Sequence, residues 1–413
     1  PVGEMIAMFN QRREENRTKQ YKPVYFAFWG YFQKELIPCL DKTRISPETK
    51  QLIRVLERNE WIRTPYYKSS FQSDSSPIVS PVSEKADRIY DKTWLRIIST
   101  PESKMKNDSW KMINGIIVEA NHREFSRAFS EQAKHQPERF AKLSLQFPDE
   151  CYRGYINGVI NAMYENNADT KVDFQLTCDV VNRFMSDSDP DVTIQILRLI
   201  GRRAEENWPD NILNFVCDAA INSTHPSPDF STTADKEVTP HSLLTNALSC
   251  VRGCAIETIS ELLWKHNDLA DRFKPAIEHA TQDPFEAVRF ISFTGAYPYY
   301  NLDRDFCINI LKKLIQNEQC ILGHHDIWQI LCRDYRNNSE FYVEHLKKAC
   351  RSDIDELSEN AADYLCAIVI YYDFNIVEQL YRISLNTKQI ERVCLQAASS
   401  FDDEQFHTNS KAI

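Results

Sequence analysis

The chain has 413 residues, 42% hydrophobic and 26% charged, with a net charge of -10 at pH 7. That supplies ample core material, while the acidic balance argues against general nucleic-acid binding, which needs clustered lysine and arginine for phosphate contacts. Strand signals are scarce, with only nine glycines, and there is neither an apolar run of about 18 residues nor a secretory leader pattern, so the reading is an almost wholly helical cytoplasmic protein.

The charge is uneven. Residues 1–70 carry 13 Lys and Arg against 8 Asp and Glu, a net +5 that leaves -15 for the rest. A basic N-terminal surface therefore keeps a nucleic-acid-binding alternative open. The twelve cysteines are scattered, mostly over apolar helix faces, which reads as buried reduced thiols rather than a disulfide framework. The opening Pro1-Val2-Gly3 fits a piece cut from a longer polypeptide.

In chain order, residues 1–63 read as a helical region with an aromatic cluster at 25–32, assigned to the core, and a second helix over 47–61. Serine and proline crowd residues 64–83, the composition of a linker or loop. Residues 84–136 lead into the repeats, with helices predicted over 84–98, 108–120 and 123–134. A short helix follows between Pro137 and Pro148, where the repeats begin.

From 137 to 400 the second helix of each pair centres near residues 153, 194, 252, 289, 329 and 365, in steps of about 41, 58, 37, 40 and 36. The long step contains residues 222–240, rich in Ser, Thr, Pro and Asp, and subtracting it restores a step of about 40. This inserted loop, with His225 and Phe230, is expected to be exposed and to carry recognition or regulation. A tolerated spacer is the competing reading. Val251, Cys254, Ala255, Ile259, Leu262 and Leu263 share one helix face, and Ile212, Phe215, Val216, Ala219 and Ala220 mark a partner helix. Each pair exposes an apolar side that only a neighbouring pair can cover. The expected fold is all-α: an α-solenoid, a right-handed superhelix of antiparallel helix pairs, ending in a frayed polar tail at 401–413.

Asp283-Pro284 followed by Val288-Arg289, Val251-Arg252 one repeat earlier and Asp189-Pro190 upstream resemble the HEAT-repeat pattern. That resemblance implies that the aspartate caps the second helix and that the arginine reaches an acidic group of a neighbouring repeat. Asp189, Arg252, Asp283 and Arg289 would then be structural positions. The run from Arg123 through Phe147 and Tyr155, followed by the repeats, is similar to C-terminal regions of large bacterial NTPases of the NACHT and STAND type, which include phage-defence sensors.

Motifs that carry chemistry are missing from the sequence: no phosphate-binding loop, no His-Glu-x-x-His, no Gly-x-Ser-x-Gly and no Cys-x-x-Cys. Cys320, His324, His325 and Cys332 match no zinc spacing, and the two histidines read as the start of the helix holding Ile327, Ile330 and Leu331. The string from Asp187 to Asp191 reads as a helix cap rather than paired catalytic acids, and Gly154 with Gly158 as close helix packing. Tyr297-Pro298-Tyr299-Tyr300 follows a helix end, where tyrosines suit a binding hot spot. Packing against Trp264 or Trp328 is the alternative. The expectation is a non-catalytic protein-recognition or scaffold solenoid without metal, cofactor or membrane partner, binding through Tyr297, Tyr299, Tyr300, His225 and Phe230. The resemblance implies the sensor part of a larger cytoplasmic defence NTPase, its partner a foreign or phage protein or another domain of the same polypeptide. A nucleic-acid-binding helical-repeat protein is the alternative.

Overall fold

The computed structural model describes residues 78–105, 111–113, 116–164, 171–227, 238–324, 326–401 and 403–413, together with 46, 47, 50, 51 and 54. The chain divides into two units, Pro1–Ser76 and Pro77–Ile413. In the first, Pro47, Lys50, Gln51 and Arg54 are helical. The aromatic cluster at 25–32 and linker residues 64–77 lie outside the described residues.

The second unit begins with three short strands, β1 (Ile78–Val79), β2 (Lys111–Ile113) and β3 (Ile116–Val118). β3 lies in the middle, parallel to β1 and antiparallel to β2. The helix predicted over 108–120 is thus replaced by an antiparallel strand pair in which Ile113 faces Ile116. Local chemistry explains the correction: Ile113, Ile116, Ile117 and Val118 are β-branched, and the intervening Asn-Gly dipeptide is the one that two-residue hairpin loops favour. The end of the predicted linker also belongs to this sheet, and Ser80 beside it is buried. The helix predicted over 84–98 is split into a 3-10 turn at Ser83–Arg88 and α1 (Asp91–Ile98).

Helices follow: α2 (His122–His135), α3 (Pro137–Ser144), α4 (Arg153–Tyr164), α5 (Phe174–Phe184), α6 (Pro190–Arg202), α7 (Asp210–Asn222), α8 (Pro240–Leu248), α9 (Val251–Lys265), α10 (Ala270–Ala280) and α11 (Glu286–Ala296). The series ends with α12 (Tyr299–Leu302), α13 (Arg304–Asn317), α14 (Ile327–Ala349), α15 (Asp355–Tyr371), α16 (Val377–Tyr381), α17 (Thr387–Ser399) and α18 (His407–Ala412). α2 packs on α4, α4 on α6, α6 on α9 and α9 on α11, while α3 meets α5 and α7 meets α10 in a second row. α15 lies between α14 and α17. The protein is mostly helical, with successive helix pairs in contact.

Asp189 caps α6 by accepting the N–H of Asp191 at 2.8 Å, with Pro190 in the first helical position. α9 is enclosed by α6, α7 and α11, and Ile256, Ile259 and Leu262 are fully buried. Each such side chain contributes about 1.5–3 kcal/mol through burial. Close approach of α2 and α4 depends on Gly158: a Cβ there would lie 2.1 Å from the Ser130 hydroxyl. At this end of the stack Phe129 is ringed by Trp94, Phe140 and Tyr155 at 5.2, 4.8 and 5.4 Å, each edge-on.

α14 joins two predicted helices across a kink at Asn338, whose φ/ψ of -139°/33° leaves the helical region. The kink is held by the buried Asp334 carboxylate, which accepts from Asn337 at 3.1 Å, Asn338 at 2.5 Å and the Tyr342 hydroxyl at 2.8 Å. The tail also differs from expectation. α18 docks against α15, with Phe406 edge-on to Tyr371 at 4.9 Å and the Asn409 amide donating to the Ile370 carbonyl at 2.9 Å.

α8 departs from nearest-neighbour packing. It touches both α9 and α11, and its first residue, Pro240, packs so closely on Gly323 that a Cβ there would lie 2.3 Å from the ring. The His241 N–H donates to Glu356 of α15 at 3.2 Å, and the Leu248 carbonyl at its other end accepts from Arg198 of α6 at 2.8 Å.

Candidate functional site

The arginines at the repeat positions are occupied inside the stack. Arg252 is buried and grips Asp283 with two parallel bonds, Nε to Oδ2 at 2.7 Å and Nη2 to Oδ1 at 3.0 Å. Its Nη1 donates to the carbonyls of Ser223 at 2.8 Å and Pro226 at 3.3 Å. Asp283 also accepts the N–H of Phe285 at 2.8 Å, so it closes the turn ahead of α11. The helix expected to start at Pro284 starts at Glu286, with Phe285 in the cap position. Arg289 pairs with Glu318 and donates to the carbonyls of Asp283 at 2.8 Å and Pro284 at 3.1 Å.

The first described end of the insert is fixed to the same place. The Nδ1 of His225 accepts the N–H of Val251 at 3.2 Å and its carbonyl accepts that of Arg252 at 3.3 Å. Burial lowers the pKa of the imidazole. Pro226 is buried, whereas Thr224, Ser227 and Val238 are exposed. Phe230 lies outside the described residues.

The tyrosine run is corrected. Tyr299 is 1% exposed, its hydroxyl donating to the Ala270 carbonyl at 2.5 Å, and Tyr300 is 6% exposed with the Arg304 guanidinium 4.6 Å from its ring. The turn of α12 rotates both rings inward, so neither presents a surface. Tyr297 alone stays half-buried. It packs edge-on against Trp264 at 5.4 Å and donates its hydroxyl to Gln329 Oε1 at 3.1 Å. Burial raises its pKa.

Next to Gln329, Trp328 stacks on Tyr364 at 4.9 Å with a 15° tilt. Trp264 with Tyr297, and Trp328 with Tyr364, are therefore two aromatic pairs linked by the Tyr297–Gln329 bond across α9, the end of α11, α14 and α15, with Trp264 45% exposed. Glu257, Glu261 and Trp264 share a helix face by their spacing, which leads from the strip to a groove of about 500 Å³ lined by Arg198, Glu257, Thr258 and Glu261. Burial raises the pKa of Glu257, and the nearby Arg198 opposes the shift. The surface so formed offers flat rings, amide groups and recessed charges of both signs. His324 is buried against Phe290 and Phe293 and bonds the Thr294 hydroxyl at 3.0 Å. Among the described residues no group of three or more His, Cys, Asp or Glu side chains is placed to hold a metal ion.

Sequence reasoning named Trp264 and Trp328 only as packing partners, and it missed Gln329 and Tyr364. No shared position in the sequence marks them: Trp264 lies at the end of α9, Tyr297 follows α11, Trp328 begins α14 and Tyr364 lies in the middle of α15. Among the described residues no helix is long and apolar enough to cross a membrane. No protein-family model matches the chain, and no curated protein matches it.

Proposed function

We propose that the chain is a non-catalytic protein-recognition scaffold: a solenoid whose partner lies along the strip from the Arg198–Glu257 groove to the Trp328–Tyr364 stack. The observation that carries this reading is the two partly exposed aromatic pairs, Trp264–Tyr297 and Trp328–Tyr364, linked by the Tyr297–Gln329 bond. Tryptophan and tyrosine supply large contact area at low entropic cost and dominate binding hot spots. The sensor role in a larger cytoplasmic NTPase of defence type rests on the sequence resemblance alone, as does a foreign or phage protein as the partner.

The test is affinity capture from lysates of phage-infected and uninfected cells, using the parent and a Trp264→Ala/Trp328→Ala variant of matched melting temperature. A protein captured by the parent, lost with the variant and retained after nuclease treatment supports the reading. Capture indifferent to the variant overturns it. Capture of nucleic acid that falls steeply with salt would favour the basic residues 1–70 as the binding element instead.

A further inference from the structure

We propose that the groove between α6 and α9 takes an arginine side chain of the protein that lies along the two aromatic pairs, the arginine entering past Trp264 and its guanidinium reaching the Glu257 carboxylate. This names the chemistry of the partner, so it rests on the protein-recognition reading above. The groove holds about 500 Å³, which admits one long side chain. Most of its charges are engaged or stand in water. Arg198 donates to the Leu248 carbonyl at 2.8 Å, and Glu205 pairs with Lys171 at 3.0 Å. Arg202, Glu261 and Lys265 are exposed, where solvent and salt screen them. Glu257 differs from all of these. It is half-buried, and among the described residues it makes no hydrogen bond and no ion pair. Burial holds its carboxyl above the usual range, Arg198 opposes the shift, and Glu261 one turn on adds to it.

A recessed carboxylate without donors selects its guest by sign. An acidic side chain entering the groove would meet Glu257 at close range, and an apolar one would leave its desolvation uncompensated. A basic one supplies the missing donors. Trp264 favours arginine over lysine. Its ring is 45% exposed and lies two turns beyond Glu257 on the same helix face, and a planar guanidinium with its methylene stem packs on an indole better than a strongly hydrated ammonium does.

The probe is a displayed library of random dodecapeptides selected on the 413-residue chain. The Trp264→Ala/Trp328→Ala chain of matched melting temperature serves to discard peptides that bind elsewhere. The remaining peptides are expected to share an arginine at one position. For the tightest, calorimetry at pH 7 is expected to show binding at least about ten-fold weaker with Glu257→Gln. Replacing the peptide arginine by citrulline, its uncharged isostere, should cost about as much, and the two changes together little more than either alone. The citrulline peptide leaves the protein untouched, so it reads the contact even if Glu257→Gln melts early. Affinity for the parent should also rise with pH as Glu257 loses its proton, and stay flat in Glu257→Gln. Peptides that need the tryptophans yet share no arginine, or losses from Glu257→Gln and citrulline that simply add, overturn the proposal while the protein-recognition reading stands. If no peptide distinguishes the parent from the tryptophan variant, both fall.

Discussion

Replacing Arg252 by alanine tests the internal logic of the stack most directly. The substitution leaves the Asp283 carboxylate, 1% exposed, with a single remaining donor, the Phe285 N–H. It also takes a donor from the carbonyls of Ser223 and Pro226. Removing one partner of a buried ion pair costs about 3–5 kcal/mol, mostly because the other charge stays buried and uncompensated. The expected loss for Arg252→Ala is therefore about 4 kcal/mol. Asp283→Ala is expected to cost less, about 2–3 kcal/mol, since Arg252 keeps two carbonyl acceptors. Because both variants break the same bonds, their combination should fall short of additivity by about 2 kcal/mol. The hydrophobic pair Arg252→Met/Asp283→Leu should recover much of the loss. Urea unfolding followed by far-ultraviolet circular dichroism measures all four. Limited proteolysis adds a second readout: cleavage near residues 223–227 should rise in Arg252→Ala and not in Asp283→Ala. A loss below about 0.5 kcal/mol for Arg252→Ala, or strict additivity in the double variant, refutes the account.

Arg289→Ala, which leaves the partly buried Glu318 without its partner, should cost about 1–3 kcal/mol in the same assay. Gly158→Ala should destabilise by about 1–3 kcal/mol through overpacking, and Ser130→Ala in the same chain should recover part of it by removing the hydroxyl in the way. Burial raises the carboxyl pKa of Glu257, so its contribution is fully present below the ordinary 4.5 and is lost as pH rises through the folded value. Glu257→Gln should therefore melt above the parent at pH 7, and the difference should vanish on acidification below 4.5. Burial pushes the thiols of Cys254, Cys307, Cys350 and Cys366 up to about 12, while Cys394 is exposed. Alkylation of the native chain followed by peptide mass mapping should find Cys394 modified before those four.

Much of the helical order was legible because helices are local: apolar spacing and the Asp189-Pro190 signal identify α6 and α9 without long-range information. What was misread is long-range or depends on a few residues of turn chemistry. Asp283 was read as the cap of the second helix, whereas it closes the turn ahead of α11 and takes Arg252 from 31 positions earlier, an arginine-to-acid contact between repeats of the kind the HEAT resemblance implies. Tyr299 and Tyr300 looked exposed because they follow a helix end, yet a four-residue turn was enough to rotate both inward. The strand pair around Asn-Gly was hidden within an otherwise helical reading, although its β-branched flanks and turn dipeptide carry a standard signal. The aromatic strip was only partly visible, since Trp264, Gln329 and Tyr364 come together through stacking and not through sequence proximity.

A stack of pairs in which each touches only its neighbours unfolds like a row of weakly coupled units, melting inward from its ends. α8 changes that behaviour here. One short helix bonds α6 at Leu248 and α15 at His241 and packs on α9, α11 and the turn at Gly323 on the way. Opening any of these elements removes a surface that the others share through α8, so residues 190–371 should open as one cooperative block. Amide hydrogen exchange across that span would then converge on a single opening free energy, while α17 and α18 exchange by a separate, cheaper opening.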